Sequence, residues 1–180
     1  MNAMNTHYPD AGRIEAVNRH TLAVIVDNEP GVLARISGMF SGRGYNIESL
    51  TVSETEEARH LSRITIVTAG TNAVIDQIKA QLDRLVPVHR VVDLTLQGSA
   101  LERELCLVKV AGQGEHRGEA LRLAAAFGAK TLDATLTSFV FELTGATEEI
   151  DRFIRLMTVL GLVEISRTGI AAMGRGADPM

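Results

Sequence analysis

The chain has 180 residues, 46% hydrophobic and 22% charged, which marks a globular rather than a disordered protein with room for one domain or two small ones. Lys and Arg number 18 against 22 Asp and Glu, a net charge of −4, so nonspecific nucleic-acid binding has no electrostatic support. Cys106 is the only cysteine, which excludes an internal disulfide, and no apolar run approaches the roughly 20 residues that a membrane helix requires.

Residues 1–17 are polar and aperiodic and are expected to form a disordered extension. They carry Asp10 and Glu15 and no apolar stretch of the secretory type. Together with a lone cysteine in an apolar run, this points to a reducing, cytoplasmic setting. Thr21 to Val26 are almost continuously apolar or β-branched and predict a strand covered on at least one face. DNEPG, residues 27–31, stops it, because proline lacks a donor and suits the start of a helix. Val32, Leu33, Ile36, Met39 and Phe40 then follow at helical spacing, while Ala34, Ser37, Gly38 and Ser41 leave the opposite side small. Gly42 and Gly44 end the helix, and a strand is predicted from about Asn46 to Glu54. A polar hairpin (54–59), a strand (61–68), a helix with Val74, Ile75, Ile78, Leu82 and Leu85 inside, and a strand through Val88, Val92 and Leu94 complete the unit. Pro87 at its entry suits an edge. The order is βαββαβ, an antiparallel sheet with both helices on one face.

QGSALERE, residues 97–104, is polar and is expected to be a linker. The pattern then repeats. A strand is predicted over 105–111, and a helix over 115–127 with Ala120, Leu121, Leu123, Ala124 and Phe127 inside. Strands over 129–134 and 138–143 follow, then a helix over 147–160 with Thr147 as its N-cap, and a last strand over 162–167. The fold class is therefore α+β, two ferredoxin-like βαββαβ domains over 18–96 and 105–168, with 169–180 expected as a flexible tail.

Polar groups gather around the first helix. Its N-terminus offers unpaired N–H groups and partial positive charge, a setting for a carboxylate, and Gly31 places no side chain in the way. Asn28 and Asn46 carry the amide donors and acceptors that bind an amino acid's ammonium and carboxylate. From spacing alone, Asn28 also fits a plain turn or cap and Asn46 a plain strand entry. Elsewhere the five histidines (His7, His20, His60, His89 and His116) show no metal-ligand spacing, and no paired carboxylates sit in an apolar setting that would make an acid/base team.

DNEPGVLARISGMFSGRGYNIESLTV, followed by LSRITIVTAG, resembles the N-terminal ACT domain of acetolactate synthase small, regulatory subunits. The blocks N-E-x-G-x-L-x-R and F-x-x-R-G-Y-N-I-E-S-L-T-V carry the resemblance, which runs from about His20 to about Gly174. It implies a non-catalytic subunit that activates a separate large subunit and confers feedback inhibition by valine or another branched-chain amino acid. It also implies a homodimer through the ACT domain. Effector positions fall on Asn28, Gly31 and Val32, and on Asn46 and Ile47 from the second copy. Position 34 is Ala, where some family members carry Ser at a resistance site. No cofactor is expected in this chain; thiamine diphosphate, Mg2+ and FAD are implied for the catalytic partner. The rival expectation is a free-standing ACT amino-acid sensor that regulates another enzyme.

Overall fold

The computed structural model describes residues 16–56, 60–96, 98 and 100–179. Most of the expected 1–17 extension lies outside that set. The elements run β1 (Asn18–Asp27), α1 (Val32–Gly42), β2 (Ser49–Glu56), β3 (Leu61–Gly70), α2 (Asn72–Leu82) and β4 (Val88–Asp93). A second series follows with β5 (Leu101–Ala111), α3 (Gly114–Ala126), β6 (Lys130–Ala134), β7 (Ser138–Gly145), α4 (Thr147–Val159) and β8 (Leu162–Met173). The strands form two antiparallel sheets ordered β2-β3-β1-β4 and β6-β7-β5-β8. Each is the ferredoxin-like order, with the first and third strands of its unit in the middle. β4 is an edge strand, as Pro87 suggests.

Each sheet buries one face under its two helices. In the first, Leu22, Val24 and Val26 of β1 and Ile64 and Ile66 of β3 meet Val32, Ile36, Met39 and Phe40 of α1 and Ile75, Ile78 and Leu82 of α2. At about 1.5–3 kcal/mol for each fully buried large apolar side chain, this layer is the main source of stability in the unit. Leu33 is 43% exposed, because it sits about 100° round the helix from Val32 and off that stripe. In the second, Cys106, Val108, Val110, Phe139, Phe141, Ile150, Phe153 and Met157 make the core. Leu121, expected inside, is 41% exposed for the same reason: α3 turns only Ala120 and Ala124 fully inward.

Cys106 is completely buried, and burial pushes its thiol above the ordinary range, opposed more weakly by a backbone hydrogen bond at Leu143 and by the Arg167 charge. Native protein at neutral pH should therefore resist iodoacetamide, while denatured protein takes up one equivalent. Rapid alkylation of the folded chain, read by mass spectrometry, would contradict this placement.

Among the boundaries that differ from the sequence expectation, four change the reading. β2 begins at Ser49, not Asn46, because its ladder with β3 starts at Ser49↔Val67. Asn46 instead offers its carbonyl to Thr68 Oγ1 at 2.6 Å. β5 begins at Leu101, so the second half of the expected linker is strand, paired with Met173 to Ile170. The N-cap of α4 is Ala146; Thr147 is the first helical residue, and its buried Oγ1 has no partner. Finally, β8 runs on to Met173, so residues 169–173, expected as tail, are strand.

That extension joins the two units. Between Cys106↔Arg167 and Glu104↔Ile170, one β5 residue, Leu105, opposes two on β8, Thr168 and Gly169. This is a β-bulge, which bends a strand and re-aims it. Beyond the bend, Ile170 and Ala172 pack against Ala23, Val67 and Leu94 on the open face of the first sheet. Thr51 Oγ1 donates to the Ile170 carbonyl at 2.9 Å, Ile170 N–H donates to Ser49 Oγ at 3.1 Å, and Arg63 Nη2 donates to the Ala172 carbonyl at 2.6 Å. Gly169 has φ of +80°, and a Cβ there would run into Ser49 and Thr51, so both the bend and the close approach need glycine.

Candidate amino-acid site at the first helix

The turn from β1 into α1 is held by backbone bonds. Asp27 N–H donates to the Pro87 carbonyl at 2.9 Å and Asn28 N–H to the His60 carbonyl at 2.6 Å. Asp27 also meets His89 Nε2 at 2.6 Å on the surface. The chain then turns through Pro30, and Gly31 becomes the helix N-cap with φ of +91°, a left-handed geometry that side chains resist. No side chain caps α1. Nothing lies within 4 Å of where a Gly31 Cβ would stand, so the first-turn N–H groups open onto free space. Val32 N–H makes a long 3.5 Å bond to the Glu29 carbonyl and no side chain caps the turn, which leaves a donor set with partial positive charge suited to a small carboxylate.

The five candidate residues fall into two groups. Asn28 and Gly31 are exposed at this turn. Val32 is 4% exposed and its side chain belongs to the core, so it can offer a ligand only its backbone. Asn46 and Ile47 lie just before β2, Asn46 exposed and Ile47 partly buried against the first core. They follow the C-terminal end of α1, whose 11 residues separate the two groups by about 16 Å at 1.5 Å per residue. One chain therefore cannot close both groups around a single small amino acid.

The outer side of α1 is lined with Ala34, Gly38 and Ser41, all exposed, and the neighbouring edge strand β2 leaves Val52 47% exposed. Small side chains on a helix beside a free strand edge permit close approach of another backbone.

A cleft of about 590 Å3 lies elsewhere, at the seam between the two units, lined by Arg19, Glu48, Glu104, Asp151, Arg167 and neighbours. Most of its charges already pair with one another. Glu104 is buried and takes bonds from Arg167 Nε and Nη2 at 2.6 Å each, while Arg167 Nη1 reaches Asp151 at 2.8 Å. Those bonds, Glu104 first, hold the Arg167 guanidinium above its ordinary value against the opposing effect of burial. Arg19 pairs with Glu48 at 3.2 Å and with Glu102 at 3.8 Å. The seam is thus a polar joint, and Glu48 places one end of it two residues from Asn46.

A second buried polar pair escapes sequence inspection. His20 Nδ1 meets Asp93 Oδ2 at 2.8 Å, although the two lie 73 residues apart, and both are nearly inaccessible. Among the described residues no three His, Cys, Asp or Glu side chains converge as metal ligands.

A family model described as an AHAS small subunit-like ACT domain matches residues 22–90, which contain all five candidate positions. A second, described as the small subunit of acetolactate synthase, matches residues 103–176. The chain belongs to the acetolactate synthase small-subunit family. It is 46% identical over 158 residues to a probable acetolactate synthase small subunit of Archaeoglobus fulgidus, covering 88% of this chain and 98% of that one. It is 42% identical over 159 residues to the isozyme 3 small subunit of Escherichia coli, covering 88% and 96%. The crystal structure of the acetolactate synthase small subunit from Thermotoga maritima superposes with a TM-score of 0.81 at 36% identity, covering 89% of this chain and 99% of that one. As in the family's two models, the ACT unit and the second unit are separate sequence modules, and they touch through β8 and through Glu102 at the start of β5.

Proposed function

We propose that this chain is the non-catalytic regulatory subunit of an acetolactate synthase. It activates a separate large subunit and makes that enzyme sensitive to valine. Thiamine diphosphate, Mg2+ and FAD belong, on this reading, to the large subunit. The observation that carries the proposal is the uncapped α1 N-terminus at left-handed Gly31, within a chain of this family.

Valine's carboxylate binds the first-turn N–H groups beside Asn28, and its isopropyl group is covered by apolar surface that includes Ile47. Asn46 contributes from a second copy, since α1 holds the two groups apart within one chain. The small outer face of α1 and the free β2 edge support that dimer. A useful metabolic sensor needs only about 4 to 7 kcal/mol of binding energy, a dissociation constant from millimolar to about ten micromolar. Two N–H contacts to a carboxylate, one amide contact and a small apolar pocket suffice. Inhibition also requires valine to prefer the less active state by about 1 to 3 kcal/mol. A route for that preference runs from Asn46 through Glu48 and Arg19 to Glu102 of β5.

Co-purification tests the reading: a thiamine-diphosphate-dependent large subunit should be retained, gain activity and become valine-sensitive. A chain that neither binds nor activates that subunit would refute it. Asn46→Ala should remove one hydrogen bond and weaken valine binding by about 1 kcal/mol, roughly fivefold, in isothermal titration. An unchanged dissociation constant would take Asn46 out of the site.

A further inference from the structure

A basic cleft of about 380 Å3 lies on the open side of the ACT sheet, where Arg63 of β3, Arg90 of β4 and Arg175 beyond β8 converge, with Asp178 the one carboxylate side chain lining it among the described residues. Arg63 and Arg90 both sit opposite Ile25 of β1 in the strand register, so they flank it on the same face. Neighbouring strands are about 4.8 Å apart, which puts the two backbones about 10 Å apart across β1. Arg63 is committed to the Ala172 carbonyl. Arg90 and Arg175 are exposed and make no ion pair among the described residues. Three cations against one carboxylate stand out on a chain whose net charge is −4. Self-repulsion of that kind is relieved by an external anion.

We propose that this cleft docks an acidic, extended segment of the catalytic large subunit, a proposal that rests on the regulatory reading above. Carboxylates two residues apart on an extended chain share a face and lie about 7 Å apart, within reach of the long Arg63 and Arg90 side chains whose backbones flank Ile25. Two of the three cationic groups, Arg90 and Arg175, are exposed at the surface, which suits a polypeptide better than a small anion. The position also suits the task, because the cleft spans β3 and β4 of the ACT unit and the chain leaving β8. An acidic segment seated there touches both units at the place where β8 crosses between them.

The test uses full-length chain and large subunit. The double variant Arg90→Glu/Arg175→Glu should raise the concentration for half-maximal activation by at least about tenfold and flatten its dependence on salt, while valine binding by calorimetry stays as in the wild type. Arg90→Lys/Arg175→Lys should keep most of the activation. Intact valine binding shows that the variant is folded. If the wild type activates and the charge-reversed variant matches it, the docking surface is wrong and the regulatory reading stands. If the wild type fails to activate at all, both fall. Inorganic pyrophosphate that competes with valine rather than with the large subunit would also overturn the proposal.

Discussion

Gly31→Asp should abolish valine inhibition while leaving activation of the large subunit intact. Three effects act together. A carboxylate at the N-cap can itself accept a first-turn N–H, a bond worth about 1 kcal/mol that valine must displace. It also repels the ligand's carboxylate, by between about 1 kcal/mol in a watery setting and about 4 kcal/mol at an effective dielectric of 20 and 4 Å separation. Finally, any side chain at φ of +91° is strained by about 1–2 kcal/mol. Gly31→Ala separates the last effect from the others, because its Cβ meets no neighbour within 4 Å. We expect at least a 30-fold rise in the valine concentration for half inhibition with Asp, the effect of about 2 kcal/mol or more, and only a few-fold rise with Ala. An Asp variant as valine-sensitive as the wild type would show that the ligand binds elsewhere.

Arg167→Leu should strongly destabilise the second unit. The Glu104 side chain is only 4% exposed and takes both its charged bonds from Arg167. Without that partner it is a carboxylate buried with no compensating charge, a situation that costs about 3–5 kcal/mol. Arg167 is 33% exposed, so water softens the loss towards about 3 kcal/mol, the lower end of that range. For a chain of this size that lowers the melting temperature by about 6–12 °C. Removing both charges with Glu104→Leu/Arg167→Leu should recover most of the loss, because two apolar side chains at a buried ion-pair position are often neutral. A single variant that melts within 2 °C of the wild type would mean that Glu104 is solvated in solution.

The doubled βαββαβ order is legible in the sequence because each helix and strand carries its own periodicity. Ile36, Met39 and Phe40 show the helical repeat, and Ile64 and Ile66 the strand repeat, without reference to anything distant. The glycine turn at Gly31 is legible for a similar reason: proline and glycine dictate their own backbone. The misplaced boundaries are those decided at a distance. Residues 169–173 look like a tail because glycine and alanines follow a polar run. They become strand because Leu101–Glu104 lie alongside and the open ACT face lies beneath. Asn46 looks like strand entry because Leu50 and Val52 begin an alternation just after it, but Thr68 takes its carbonyl before the ladder starts. The pairing of His20 with Asp93 joins the first strand of the unit to its last, and local spacing holds no trace of it. The same limit applies to the candidate site. Asn28 and Asn46 are conspicuous as residues, but local spacing does not reveal that they stand at opposite ends of α1, too far apart for one chain to close both around one small ligand.

The most direct measurement is a crystal structure of this chain grown with excess valine. We predict a dimer in which the valine carboxylate lies on the N–H groups following Gly31 of one copy, with Asn46 of the other copy within hydrogen-bond reach of the ligand. Valine bound elsewhere, or contacts drawn entirely from one copy, would contradict the account.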